Sequence, residues 1–93
     1  MINEWTFSGE IFYLKELSGE FSASLKLRGM AKRLDAMSSQ ITELPVLVGN
    51  TIYKALSEKG KKLYSQATLS GHIETWFDEK KSKIMFVADK IID

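Results

Sequence analysis

At 93 residues with 13 basic and 12 acidic side chains, the chain fits one small domain, near the size at which a single core just suffices for folding. Its 44% hydrophobic and 27% charged content excludes wholesale disorder, and no stretch approaches the roughly 20 apolar residues of a membrane-spanning helix. With no cysteine and His72 as the one histidine, disulfides, thiolate metal sites and structural zinc are excluded, so neither metal nor cofactor is expected. Met1-Ile2-Asn3-Glu4 lacks the basic and apolar parts of a signal peptide, which makes the cytoplasm the expected location. The net charge of +1 hides an uneven distribution. Residues 1–20 carry four glutamates against one lysine, whereas residues 21–33 hold Lys26, Arg28, Lys32 and Arg33 with no acid. Two further basic groups follow, at Lys59, Lys61 and Lys62 and at Lys80, Lys81 and Lys83. Such clustering points to a polyanionic partner or to solvated turns.

Residues 5–17 read as a first strand with Trp5, Phe7, Ile11 and Tyr13 on one parity and Phe12 and Leu14 on the other. A strand that changes its buried face is expected to bend, here at Gly9, and to serve two parts of a barrel. After the Ser18-Gly19 turn, Phe21, Ala23, Leu25 and Leu27 alternate with Ser22, Ser24, Lys26 and Arg28, the pattern of a half-buried strand. Residues 29–40 are irregular and read as a long connecting loop. Residues 41–48 form a third strand, placed at an edge or bulge by Pro45. From Thr51 the pattern turns helical, with Ile52, Leu56 and Leu63 on one face, Asn50 or Thr51 as cap and Gly60 as the stop. Residues 67–76 alternate around Gly71, a glycine that marks a bulge or sharp coil. A cationic loop over residues 77–83 then leads into the apolar Ile84-Met85-Phe86-Val87-Ala88. The order strand, strand, strand, helix, strand, strand is that of the five-stranded oligonucleotide-binding (OB) barrel, all-β with one short helix; a generic small α+β domain is the alternative.

The residues placed on those elements resemble the single-stranded DNA-binding proteins of bacteria and their phages. Phe7-Ser8-Gly9-Glu10-Ile11 is similar to the family's opening strand and Phe21-Ser22-Ala23-Ser24-Leu25-Lys26-Leu27 to its second. Pro45-Val46-Leu47-Val48-Gly49-Asn50, with Leu56 and Glu58-Lys59-Gly60, resembles the third strand and a helix ending in lysine-glycine. Leu69-Ser70-Gly71-His72-Ile73-Glu74-Thr75 matches the fourth strand, and Phe86-Val87-Ala88-Asp89-Lys90-Ile91 the closing one. Primosomal replication protein N, a relative of that family, is also similar, above all at Leu44-Pro45-Val46-Leu47-Val48. The sequence departs from the family where stacking aromatics are usual, with Ala31, Leu44 and Val48 in their places, and recruitment through an acidic tail after Asp93 is not expected.

The resemblance implies sequence-independent binding of single-stranded DNA, or of RNA, by a dimeric or tetrameric homo-oligomer in contact with replication proteins and no membrane. Such binding needs aromatic faces for base stacking and cations for phosphates. The stacking candidates are Trp76, then Phe77, then Tyr13 and Phe12; Trp5, Phe7, Phe21 and Phe86 are assigned to the core. The phosphate candidates are Lys26, Arg28, Lys32, Arg33, Lys80, Lys81 and Lys83, while Lys59, Lys61 and Lys62 suit a solvated helix end. A protein-interaction adapter of a replisome or primosome on the same barrel is the alternative. An enzyme is not expected, because the sequence holds no glycine-rich phosphate loop and no clear acid/base pair.

Overall fold

The computed structural model describes residues 2–32 and 39–92, and of Lys32 and Ser39 the backbone alone. Its elements are β1 (Trp5–Glu16), β2 (Ala23–Lys32), β3 (Ser39–Val48), α1 (Asn50–Glu58), β4 (Gln66–Asp78) and β5 (Lys81–Ile91). The strands close into a barrel in the order β1-β2-β3-β5-β4, antiparallel except at the β3–β5 seam, which is parallel at Leu47 and Val87. This is the all-β barrel with one short helix that the pattern of elements predicts.

β1 closes the barrel by changing partners. From Trp5 through Glu10 it pairs with β4, and from Glu10 through Glu16 with β2. The change of buried face comes later than expected: inward parity runs unbroken through Gly9 to the fully buried Ile11, and a bulge at Phe12 then turns Tyr13 outward and Leu14 inward. Gly9 has a different task. A Cβ there would lie 2.5 Å from the carbonyl oxygen of Arg28, and one on Gly29 would lie 2.7 Å from that of Ser8, so β1 and β2 cross backbone against backbone. Gly71 occupies the β4 bulge that the sequence predicts, with the register slipping between Ser70 and Gly71 and the carbonyl of Val87 in the space a Cβ would need.

The core is built from the inward sets of these strands, with Ala23, Leu25 and Leu27 of β2 against Val46 and Val48 of β3 and Leu69 of β4. Leu56 seals one end from α1. That helix begins one residue earlier than the capping signals suggest: Gly49 is the N-cap, with no side-chain hydrogen bond, and neither Asn50 nor Thr51 caps it. Gly60 does end it, in a left-handed conformation with φ +71°. The Lys61 amide donates to the Leu56 carbonyl and the Gly60 amide to that of Ser57, a Schellman closure. Leu63, expected on the helical face, lies beyond the helix and is exposed. Tyr53 ties α1 to β1 by donating its hydroxyl proton to Glu16 Oε1 at 2.8 Å, and that carboxylate holds the phenol pKa above its ordinary value.

Among the described residues, both expected loops hold strand, and residues 33–38 of the first lie outside the description. β2 continues to Lys32 and β3 starts at Ser39, paired residue for residue out to Lys32 and Ser39. The charged stretch of residues 77–83 is mostly ladder too, with Trp76 opposite Lys83, Phe77 opposite Ser82 and Asp78 opposite Lys81, leaving Glu79 and Lys80 as a two-residue turn. The strand pairing there has one physical reason: an arm that extends past its barrel is wet on both faces, so backbone pairing holds it without apolar alternation.

Candidate nucleic-acid interface

The outward face of β2 carries Ser24, Lys26 and Arg28, opposite in direction to the buried Leu25 and Leu27. Because the bulge at Phe12 turns Tyr13 outward, Tyr13 and Lys26 become register partners, and the Lys26 ammonium stands 5.0 Å from the phenol ring centroid. The Arg28 guanidinium lies 4.2 Å from the centroid of Phe12. Cations over ring faces hold both partners in place while leaving charge at the surface. Next on β3 come Pro45, opposite Lys26, and Glu43, opposite Arg28. The Arg28–Glu43 ion pair is long at 3.5 Å and about half exposed, too weak to neutralise the guanidinium for another anion.

Between β3 and β5 the face dips into a groove of about 160 Å³ lined by Ser24, Pro45 and Leu47 on one side and Lys83, Met85 and Phe86 on the other. The groove runs toward the β4–β5 arm. There Trp76 stands opposite Lys83, 43% exposed, its ring centroid 6.3 Å from that of Phe21. Phe77, 84% exposed, belongs to the opposite side of the arm because successive strand residues alternate. Trp76 and Phe77 therefore cannot serve one surface together. Lys83 shares the Trp76 side, Lys81 pairs across from Asp78 and Lys80 sits in the turn.

Behind Trp76 lies a chain of polar contacts. The indole Nε1 donates to Glu74 Oε1 at 3.1 Å, Glu74 Oε2 meets His72 Nε2 at 2.7 Å, and His72 Nδ1 meets Asp89 Oδ2 at 2.8 Å. Hydrogen bonding to Asp89, and next to Glu74, raises the His72 pKa above its ordinary value. The same bond from His72, and next that from Trp76, lowers the pKa of Glu74. No signal in the sequence beyond the shared parity of residues 72, 74 and 76 pointed to this arrangement, since Asp89 arrives only through the β5 register.

Of the expected site residues, the fold joins Tyr13 with Lys26, Phe12 with Arg28 and Trp76 with Lys83. Arg33 lies outside the described residues, as does the side chain of Lys32. Phe21, assigned to the core, is instead half-buried ahead of β2 and packs on Trp76, while Trp5 and Phe7 do pack on the core and Phe86 meets Trp5 edge to face. Leu44 and Val48, set against the family's stacking positions, point inward; Pro45 and Leu47 are the outward β3 residues at the groove, which the buried Val46 also lines. The alternation of β3 alone could have found that pair.

No protein-family model matches the sequence, and no curated protein does either. The fold has clear counterparts among solved structures. A small single-stranded DNA-binding protein from Mycoplasma pneumoniae superposes with a TM-score of 0.70 at 18% identity, over 100% of this chain and 94% of that one. The fold is that of the oligonucleotide-binding (OB) barrel. A Plasmodium falciparum single-stranded DNA-binding protein in complex with DNA follows at TM-score 0.61 and 16% identity, covering 100% of this chain and 96% of that one. The dimeric N-terminal domain of PriB from Thermoanaerobacter tencongensis follows at 0.59 and 18%, covering 98% and 97%. On OB barrels the face of the second and third strands and the flanking hairpins receive oligonucleotides. The Tyr13, Lys26 and Pro45 row and the groove leading to Trp76 lie on that face.

Proposed function

We propose that this chain binds single-stranded DNA without reading its sequence, as a homo-oligomer. One observation carries the reading: aromatic and cationic side chains share one path, from Tyr13 and Lys26 across Pro45 and the groove to Lys83 and Trp76. Cations spaced between ring faces are what a strand of alternating phosphates and bases requires. The structural counterparts from Mycoplasma pneumoniae and Plasmodium falciparum are single-stranded DNA-binding proteins, and the PriB domain is a dimer, which supports the same reading. Trp76 would stack a base, Tyr13 and Phe12 further ones, and Lys26, Arg28 and Lys83 would track the backbone. Phe77 and Lys80, on the far side and the tip of the arm, would meet a strand only where it wraps around the arm.

Titration with oligo-dT at low salt is the test. Intrinsic tryptophan emission is expected to be quenched and affinity to fall as salt rises. Trp76→Leu should weaken binding by about 1–3 kcal/mol, the contribution of one stacked base. If neither quenching nor a mobility shift occurs at low salt, the reading is wrong. A parallel titration with oligo-rU distinguishes DNA from RNA as the preferred strand.

A further inference from the structure

Among the described residues outside the binding face, Asp89, His72 and Glu74 form a built chain of contacts that ends on Trp76. Ionised carboxylates only accept hydrogen bonds, and both ring nitrogens of His72 face one, at 2.8 Å and 2.7 Å. Both nitrogens must therefore donate, which only the imidazolium can do. Glu74 is bound at both oxygens, one by His72 and the other by the Trp76 indole, so its orientation follows from that of the imidazole. Resting on the single-strand reading above, we propose that His72 and Glu74 are positioning residues for Trp76, and that the charge on His72 sets whether the indole is held beside the groove.

Loss of the His72 proton acts on one end of the chain. Asp89 faces Nδ1 with both oxygens, at 2.8 and 3.0 Å, and keeps that proton. The Nε2 lone pair is then left against Glu74 Oε2, and repulsion turns the carboxylate away from both neighbours. Trp76 loses its acceptor. Among the described residues, the other charged groups around the set are Lys90 and Glu4, which share a shallow cleft with Asp89, and Lys83, opposite Trp76. On the β1 side the Trp5 indole donates to the His72 carbonyl, which fixes the backbone and does not titrate. Because the His72 pKa lies above its ordinary value of about 6.5, release occurs as pH rises through that higher midpoint, and the indole is held below it.

The full chain supplies its own probes, one imidazole and two indoles. The His72 ring signals and the Trp76 indole N–H signal, assigned with Trp76→Phe, would be followed by NMR between pH 5 and 9, a range of about two units either side of neutrality. The Trp76 signal is expected to titrate with the His72 midpoint in wild type and to become flat in His72→Gln. Glu74→Gln, which can still accept from the indole, should move the His72 midpoint down. Affinity for oligo-dT should fall by about fivefold from the low to the high side of the midpoint, the lower end of what one stacked base contributes. That fall should vanish in Trp76→Leu. A Trp76 signal that stays flat while His72 titrates, or that titrates in His72→Gln, overturns the proposal. So does a pH dependence of affinity that survives Trp76→Leu, since it would mark His72 as a plain phosphate contact. Absence of oligo-dT binding at every pH would instead sink the single-strand reading, leaving the spectroscopic coupling as its own result.

Discussion

Two residues on β4 show how much depends on a single side chain, or on the lack of one. At Gly71 the carbonyl of Val87 fills the place of a Cβ, and the obstacle is backbone of the paired strand, which cannot swing aside. Gly71→Ala is therefore expected to cost at least about 2 kcal/mol, in the range of overpacking in a well-packed interior, read as a lowered urea midpoint. The glycine and its bulge were legible in the sequence, because a strand pattern interrupted by glycine has few other meanings. Trp76 was legible as an aromatic on a polar parity beside cations. Its hydrogen bond to Glu74 and its contact with Phe21 were not, since Phe21 lies 55 positions away by simple numbering and meets it only after closure.

Among the elements, the helix is the one whose local chemistry is least complete. Gly49 caps it with backbone φ −78° and ψ 175°, an ordinary extended conformation, and nothing lies within 4 Å of where its Cβ would be. Gly49→Ser should add a side-chain acceptor for the free amides of the first turn and reduce the freedom of the unfolded chain. A gain of about 0.5–1 kcal/mol in denaturant unfolding is expected. The two arms illustrate the opposite case, structure without a local signal. Met30 and Ile41 are register partners yet 68% and 66% exposed, so the β2–β3 extension buries nothing that patterning could reveal. The β4–β5 arm is similar, and there its ladder turns a presumed loop of lysines into a strand with Lys83 fixed opposite Trp76.

For the whole molecule, a net charge of +1 gives little long-range attraction, so affinity for a polyanion must come from local placement of cations. Lys26 and Arg28 are held on the barrel face by ring contacts, whereas Lys61 is turned to the Gln66 carbonyl at the far end of the helix. Replacing Lys26 and Arg28 together by alanine should reduce the slope of log affinity against log salt by about 1.4, two released counterions on a single strand. The same change at Lys59 and Lys62 should leave the slope unaltered. Equal effects from both pairs would mean that the strand does not follow the β2 face.

Element order, the glycine bulge, the alternating β2 strand and the uneven charge were determined by the sequence alone, because each is written in neighbours a few positions apart. Those were enough for the barrel and for most of the residues on its face. What the tertiary structure decided is which of them meet. The Phe12 bulge sets Tyr13 over Lys26, the β3–β5 seam opens the groove, and the β4–β5 register brings Asp89 to His72 and thereby reaches Trp76. These are consequences of register and closure, quantities that depend on pairing between distant strands and leave no trace in local periodicity.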